Sequence, residues 1–267
     1  MTRMVDHGRM PDLVSLHRRG HVAELVLDRP EARNALSTAM AEDIARACVR
    51  IGDDDAVRAV VLSSASPTAF CVGADLKERG GFTDADFLHQ RLVFRAAFGS
   101  VLALTVPTVA AVHGFALGGG FELALSCDLI VADDTAVLGL PEVRVGVVPG
   151  GGGTQLLARR AGPGVAADLI YTGRHVRIEE AERLRLVDRR VAAGAAEESA
   201  RELAAGIAAN SPVGVRNAKR ALRGGADVSL AAGLDIEDSA WRATVFSDDR
   251  REGIAAFNEK RPPVWPL

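Results

Sequence analysis

Two short runs, residues 56–63 (AVRAVVLS) and 107–112 (PTVAAV), stand on either side of a long stretch, 84–104, that reads as helix. Runs of this length, almost wholly apolar and rich in β-branched residues, suit strands covered on both faces. Strand, helix, strand in that order points to stacked βα units in an α/β fold.

The segments around this centre extend the pattern. From Asp12 to Asp28 polar and apolar residues alternate and break at Arg19-Gly20, which reads as a β-hairpin of 13–18 and 22–27. Arg29-Pro30 ends it. Ser37 is placed as an N-cap. Met40, Ile44, Ala47, Cys48 and Ile51 follow at the spacing of one helix face, and Asp53-Asp54-Asp55 stops that helix. After Gly173 the chain turns mostly helical, with helices expected at 178–184, 195–210, 212–223, 228–245 and 249–258. A short strand, 186–191, interrupts them. The expected organisation is a frayed tail over 1–10, a core carrying the site over 11–194, and a helical segment over 195–267 that ends in a Pro-rich extended tail. A chain of 267 residues is long enough to bury roughly three quarters of its unfolded surface.

Composition excludes several classes. The formal charge is −3, which gives no support for binding a polyanion. No run of 18 apolar residues suggests a membrane span. The first ten residues lack the apolar core of a secretory signal. Cys48, Cys71 and Cys127 lie far apart in apolar stretches with no CxxC pair, which argues for buried thiols in a reducing, cytoplasmic compartment.

Three stretches carry candidate chemistry: 70–78 (FCVGADLKE), 114–122 (GFALGGGFE) and 141–154 (PEVRVGVVPGGGGT). None is a P-loop, because no Lys follows Gly150–Gly153, and neither Gly cluster fits GxGxxG. A GxSxG elbow and an HExxH pair are absent, and the six His are scattered. What remains is backbone amides and carboxylates. Gly118-Gly119-Gly120 lies between a strand and an apolar helical run, where unpaired N–H groups face a ligand and no side chain blocks it. A free amide at Ala74 would supply a second donor, and two such donors make an oxyanion hole. Glu122 and Glu142 are carboxylates in apolar surroundings, which is costly without a partner or a task. Taken singly, each Gly loop also fits a plain turn and each Glu a surface or capping residue.

Taken together and in order, 70–77 (FCVGADLK), 114–122 (GFALGGGFE), 127–132 (CDLIVA), Pro141-Glu142 and 149–155 (PGGGGTQ) resemble the enoyl-CoA hydratase, or crotonase, family. Arg29-Pro30 with Asn34-Ala35-Leu36, and 257–261 (FNEKR), extend the resemblance over nearly the whole chain. It implies a ββα superhelical spiral with a C-terminal helical segment that builds trimers, commonly paired into hexamers. Leu230, Leu234, Trp241 and Val245 have the helical spacing of such an interface, although packing within one chain also accounts for it. By resemblance the amides of Ala74 and Gly119 hold a thioester oxygen, and Glu122 and Glu142 are the catalytic pair. The implied reaction is hydration of a trans-2-enoyl-CoA to a 3-hydroxyacyl-CoA. The implied coenzyme A contacts are the backbone of Ala32, Arg33 and Asn34, then Lys77, and Lys260 from a neighbouring subunit, with Trp241 and Phe257 lining the pocket shared with that neighbour. No metal and no cofactor beyond the substrate's own coenzyme A moiety is expected, nor any nucleic acid or membrane partner.

Segments 74–79 (ADLKER), 150–155 (GGGGTQ) and 259–263 (EKRPP) look most like the methylglutaconyl-CoA hydratase branch. Its substrate carries a second carboxylate, for which Arg79, Arg91, Arg95 and Arg144 are candidate partners. The RNA-binding helix of that branch's animal members is lysine-rich; residues 37–50 contain no lysine and carry Glu42 and Asp43, so RNA binding is not carried over. Three departures stand out: His113 and Leu140 near the site loops, and Arg185 where the family usually has a helix-ending Gly. The competing readings are an isomerase, a decarboxylase or a thioester hydrolase on the same scaffold, or a non-catalytic acyl-CoA- or RNA-binding scaffold. The presence of both glutamates disfavours all of them.

Overall fold

The computed structural model describes residues 13–265; the expected tail over 1–10 lies outside them. The strands are β1 (Val14–Arg19), β2 (Val22–Leu27), β3 (Ala59–Ser64), β4 (Ala69–Cys71), β5 (Thr108–Val112), β6 (Phe115–Leu117), β7 (Leu129–Asp133), β8 (Val137–Gly139), β9 (Val176–Arg177) and β10 (Arg189–Val191). The helices are α1 (Thr38–Gly52), α2 (Leu76–Arg79), α3 (Asp84–Ala103), α4 (Gly119–Leu125), α5 (Gly153–Ala161), α6 (Pro163–Thr172), α7 (Ile178–Arg183), α8 (Ala196–Ala208), α9 (Pro212–Gly225), α10 (Leu230–Val245) and α11 (Asp248–Glu259).

The strands form two sheets, one ordered β1-β2-β3-β5-β7-β10 and one ordered β4-β6-β8-β9. The β1–β2 hairpin is antiparallel, and from β2 to β10 the large sheet is parallel. Three times in succession the chain lays a strand in the large sheet, then one in the small sheet, then turns into helix: β3-β4-α2, β5-β6-α4 and β7-β8-α5. This repeated ββα step winds the body.

The central strands of the large sheet, β3, β5 and β7, are mostly apolar because both their faces are covered. Val60, Leu62, Ala110, Val112, Ile130 and Ala132 point into the main core. The residues between them, Ala59, Val61, Val109, Ala111 and Val131, meet Ala200, Ala204 and Ala208 of α8 on the other face. The alternate residues of a strand face opposite sides, so one short run supplies two cores. The small alanines let α8 lie close to the sheet.

Helix α1 forms as expected: Ser37 Oγ accepts from Met40 N at 3.2 Å, and Met40, Ile44, Ala47, Cys48 and Ile51 are buried. Several boundaries differ from the sequence reading. The strand expected over 56–63 begins at Ala59, and that expected over 186–191 shrinks to Arg189–Val191. The helix placed after the triple glycine starts at Gly119, so Gly119 and Gly120 lie within its first turn. The small sheet, β7 of the large sheet, α2, α5 and α6 have no counterpart in the sequence reading. Among the described residues no helix is long and apolar enough to cross a membrane.

Candidate active site

A cavity of about 330 Å³ opens between the ends of the small-sheet strands, α2, α3 and the loop before α5. Ala74, Gly119, Glu122 and Glu142 all line it. The fold thus brings together residues from three segments that stand far apart in the chain.

The Ala74 amide is aimed by its neighbours. Leu36 N donates to Gly73 O at 2.8 Å and Asp75 N donates to Leu36 O at 2.9 Å. In an extended backbone successive N–H groups point to opposite sides, so Ala74 N–H faces away from Leu36. Among the described residues it has no acceptor. The loop is braced from beneath. Arg29 Nη1 donates to Asp75 Oδ2 at 2.7 Å and to Ala35 O at 2.9 Å. Asn34, fully buried, accepts from Arg29 N and donates to Ser64 Oγ at 2.7 Å and Phe70 O at 3.0 Å.

The second amide comes from α4. Gly119 is its first residue, so its N–H has no carbonyl within the helix to bond. Two glycines permit the approach. Gly73 has φ +89°, and a Cβ there would lie 2.8 Å from Leu117 O and 3.3 Å from Gly119 N. A Cβ on Gly120 would lie 2.1 Å from Cys71 O, so only glycine lets α4 begin against the end of β4. Two free amides, one from the loop before α2 and one from the first residue of α4, facing one cavity can hold an oxygen that gains negative charge.

The two carboxylates are treated differently. Glu122 is only 3% exposed, and its Oε1 accepts from Gly151 N at 2.7 Å and Gly153 N at 2.8 Å. Cβ atoms on Gly151 or Gly153 would crowd its oxygens at 2.8 and 2.9 Å, so the glycine run is a cradle for this side chain. Burial pushes the Glu122 carboxyl above its usual range, while the Gly153 and Gly151 amides and the Arg91 charge pull it back. Glu142, in a 3₁₀ turn over Glu142–Val145, has both oxygens buried without a hydrogen-bond partner among the described residues. Burial first, and repulsion from Glu122 second, push its carboxyl up to about 7, against the pull of Arg79. One carboxylate is thus held by donors and the other is poised to carry a proton.

The glycine cradle was not legible from sequence, where the run read only as a motif; its signal was four glycines after Pro149 facing a carboxylate placed one segment earlier. Arg79, Arg91 and Arg144 also line the cavity, and Arg95 does not. The residues expected at coenzyme A lie outside this lining. Lys77 is exposed on α2, Ala32 and Arg33 sit on the loop after β2, and Asn34 is buried in the brace. Trp241, Phe257 and Lys260 stand on α10 and at the end of α11, with Trp241 64% and Phe257 83% exposed. Among the described residues no three His, Cys, Asp or Glu side chains converge as a metal site would require.

The sequence profile of the enoyl-CoA hydratase/isomerase family matches residues 17–266. YngF of Bacillus subtilis, named for an enoyl-CoA hydratase/isomerase, is 44% identical over 245 residues, covering 92% of this chain and 94% of its own. The mouse mitochondrial enoyl-CoA hydratase domain-containing protein 2 is 42% identical over 250 residues, 91% of this chain and 84% of that protein. The crystal structure of enoyl-CoA hydratase from Bacillus anthracis superimposes with a TM-score of 0.92 at 40% identity, over 95% of this chain and 98% of that one. The wound ββα body is therefore the crotonase fold, and the chain belongs to the enoyl-CoA hydratase/isomerase family.

Proposed function

We propose that the protein hydrates a trans-2-enoyl-CoA to a 3-hydroxyacyl-CoA. The observation that carries this reading is the unlike pair of glutamates in one cavity with two free backbone amides. The thioester oxygen sits on the amides of Ala74 and Gly119. As water attacks C3, negative charge moves onto that oxygen and the amides hold it. Glu122, its Oε1 held by the Gly151 and Gly153 amides, orients the water and takes its proton. Glu142, unpartnered and protonated near neutrality, gives a proton to C2. The water oxygen ends on C3, and the balance needs no oxidant, reductant or metal. An isomerisation moves a proton between two carbons and needs only one such group.

The substrate's coenzyme A moiety is the only cofactor in this reading. It runs past the backbone of Ala32, Arg33 and Asn34 to Lys77. Trp241, Phe257 and Lys260 reach it from a neighbouring chain of a trimer, or of a hexamer built from two trimers. The exposure of both aromatics supports that placement, since a lone chain leaves them in water. A finer reading, the methylglutaconyl-type substrate, is favoured by the cations in the lining: a second acyl carboxylate would meet Arg79, Arg91 or Arg144.

Loss of enoyl-thioester absorbance tests the proposal, with crotonyl-CoA, a medium-chain enoyl-CoA and 3-methylglutaconyl-CoA as substrates. The wild type is expected to turn over at least one. Glu122→Gln and Glu142→Gln are each expected to lower kcat by about 10²–10⁴-fold. Full activity in either variant would falsify the assignment.

A further inference from the structure

In the reading above, Glu142 gives up its proton inside the cavity and is left as a carboxylate. Neither of its oxygens has a donor among the described residues. An unpaired charge there is costly unless something meets it. The charged groups around it come from four elements. Glu122 of α4 is a like charge. Arg91 of α3 acts on Glu122. Arg144, in the same turn as Glu142, donates to Thr172 O at 3.4 Å. Arg79, the last residue of α2, lines the same cavity and acts on Glu142 through space, without contact.

Arg79 is held in place by a built network. Its Nε donates to Gln90 Oε1 at 2.8 Å. Gln90 is 2% exposed, and its Nε2 donates to Glu78 Oε2 and Thr38 Oγ1, both at 2.9 Å. Thr38 N donates in turn to the Glu78 carboxylate at 3.0 and 3.2 Å. The Glu78 charge, which also acts on Arg79, is thereby tied to α1 and α3. The Arg79 guanidinium lies 5.7 Å from the Phe87 ring centre and 5.5 Å from that of Phe94. Both Nη groups are left without an acceptor among the described residues. Three helices thus fix one guanidinium whose free end has no task within the fold.

We propose that Arg79, fixed by Gln90, is a positioning residue for this site: its guanidinium meets the charge left on Glu142 when that acid gives its proton to the substrate, and holds it until a proton returns. Glu122 takes one proton from water as Glu142 gives one to C2, and exchange with solvent resets the pair. The inference rests on Glu142 acting as the acid.

The test is a titration of Glu142 by ¹³C NMR in protein labelled at glutamate Cδ, with the signal assigned by its loss in Glu142→Gln. It needs no turnover. In Arg79→Met the Glu142 midpoint is expected to rise by roughly one pH unit. The basic limb of kcat/KM follows it, and Arg79→Lys restores most of the shift. In Gln90→Met, which frees the guanidinium but keeps its charge, the expected rise is smaller. An unmoved midpoint in folded Arg79→Met overturns the proposal whatever happens to the rate, because the guanidinium then only packs. If Arg79→Met does not fold, an unmoved midpoint in Gln90→Met overturns it equally. If the midpoint shifts and no enoyl-CoA is hydrated, the hydratase reading fails and takes the proposed role with it, leaving only a charge pairing of Arg79 with Glu142.

Discussion

Glu122 accepts two backbone amides and Glu142 accepts none, and this difference sets the pH behaviour expected of the site. If Glu142 is the acid, as proposed, it must be protonated, so kcat/KM is expected to fall as pH rises through about 7. The base must be ionised, so an opposing fall at low pH is expected, with a midpoint above the ordinary carboxylate range. The same shift acts on stability. A carboxyl raised from 4.5 to about 7 on folding contributes fully below 4.5, and that contribution is lost as pH rises through 7. Glu142→Gln is therefore expected to raise Tm at pH 8.5 by about 2–6 °C and to leave it unchanged at pH 4. A calorimetric scan at the two pH values checks this, and an equal shift at both would contradict it. The two glutamates were legible in the sequence because a carboxylate among apolar neighbours is an anomaly. The amides that cradle Glu122 were not, because they meet it across about thirty residues of chain.

Among the elements, α7 ends with a residue of the wrong type. Leu186 N returns to Ala181 O at 2.8 Å, and Arg185 takes φ +58° to allow it. A left-handed backbone costs a side-chain-bearing residue about 1 kcal/mol relative to Gly. Arg185→Gly is expected to stabilise the protein by about that much in urea unfolding, and a loss of stability would count against it. The substitution was visible in the sequence, and the structure gives it a conformation. A second element-scale feature was invisible there. Asp128, just before β7, binds Lys219 Nζ at 2.8 Å and Arg223 at 2.7 Å, which ties α9 to the end of the sheet. Lys219 is buried. Asp128→Ala leaves that ammonium without its counter-charge and is expected to cost about 3–5 kcal/mol in the same assay. Most of the large sheet, though not β7, and most helices could be read because apolar runs and helical spacing reach across a whole element. The small sheet could not: strands of two or three residues are too short to alternate, and their pairing is decided by the larger sheet beneath.

For the molecule as a whole, α10, α11 and the turn between them present Leu230, Trp241, Phe246 and Phe257 to solvent, with Phe246 81% exposed. In the proposed assembly these side chains would be covered by a neighbouring chain. Leu230→Asp combined with Phe246→Asp is expected to reduce the mass in sedimentation equilibrium to that of one chain. KM for the thioester is expected to rise in parallel, because the proposed assembly supplies Trp241, Phe257 and Lys260 to the site from a neighbour. A variant that stays assembled would move the interface elsewhere. The central claim concerns where the oxygen of water ends. The measurement that reads it most directly is turnover of an enoyl-CoA in H₂¹⁸O, followed by mass spectrometry of the products. The account expects one ¹⁸O in an intact 3-hydroxyacyl-CoA, formed by the wild type and lost in Glu142→Gln. An isomerised thioester without ¹⁸O, or free coenzyme A beside an ¹⁸O-labelled acid, would contradict it.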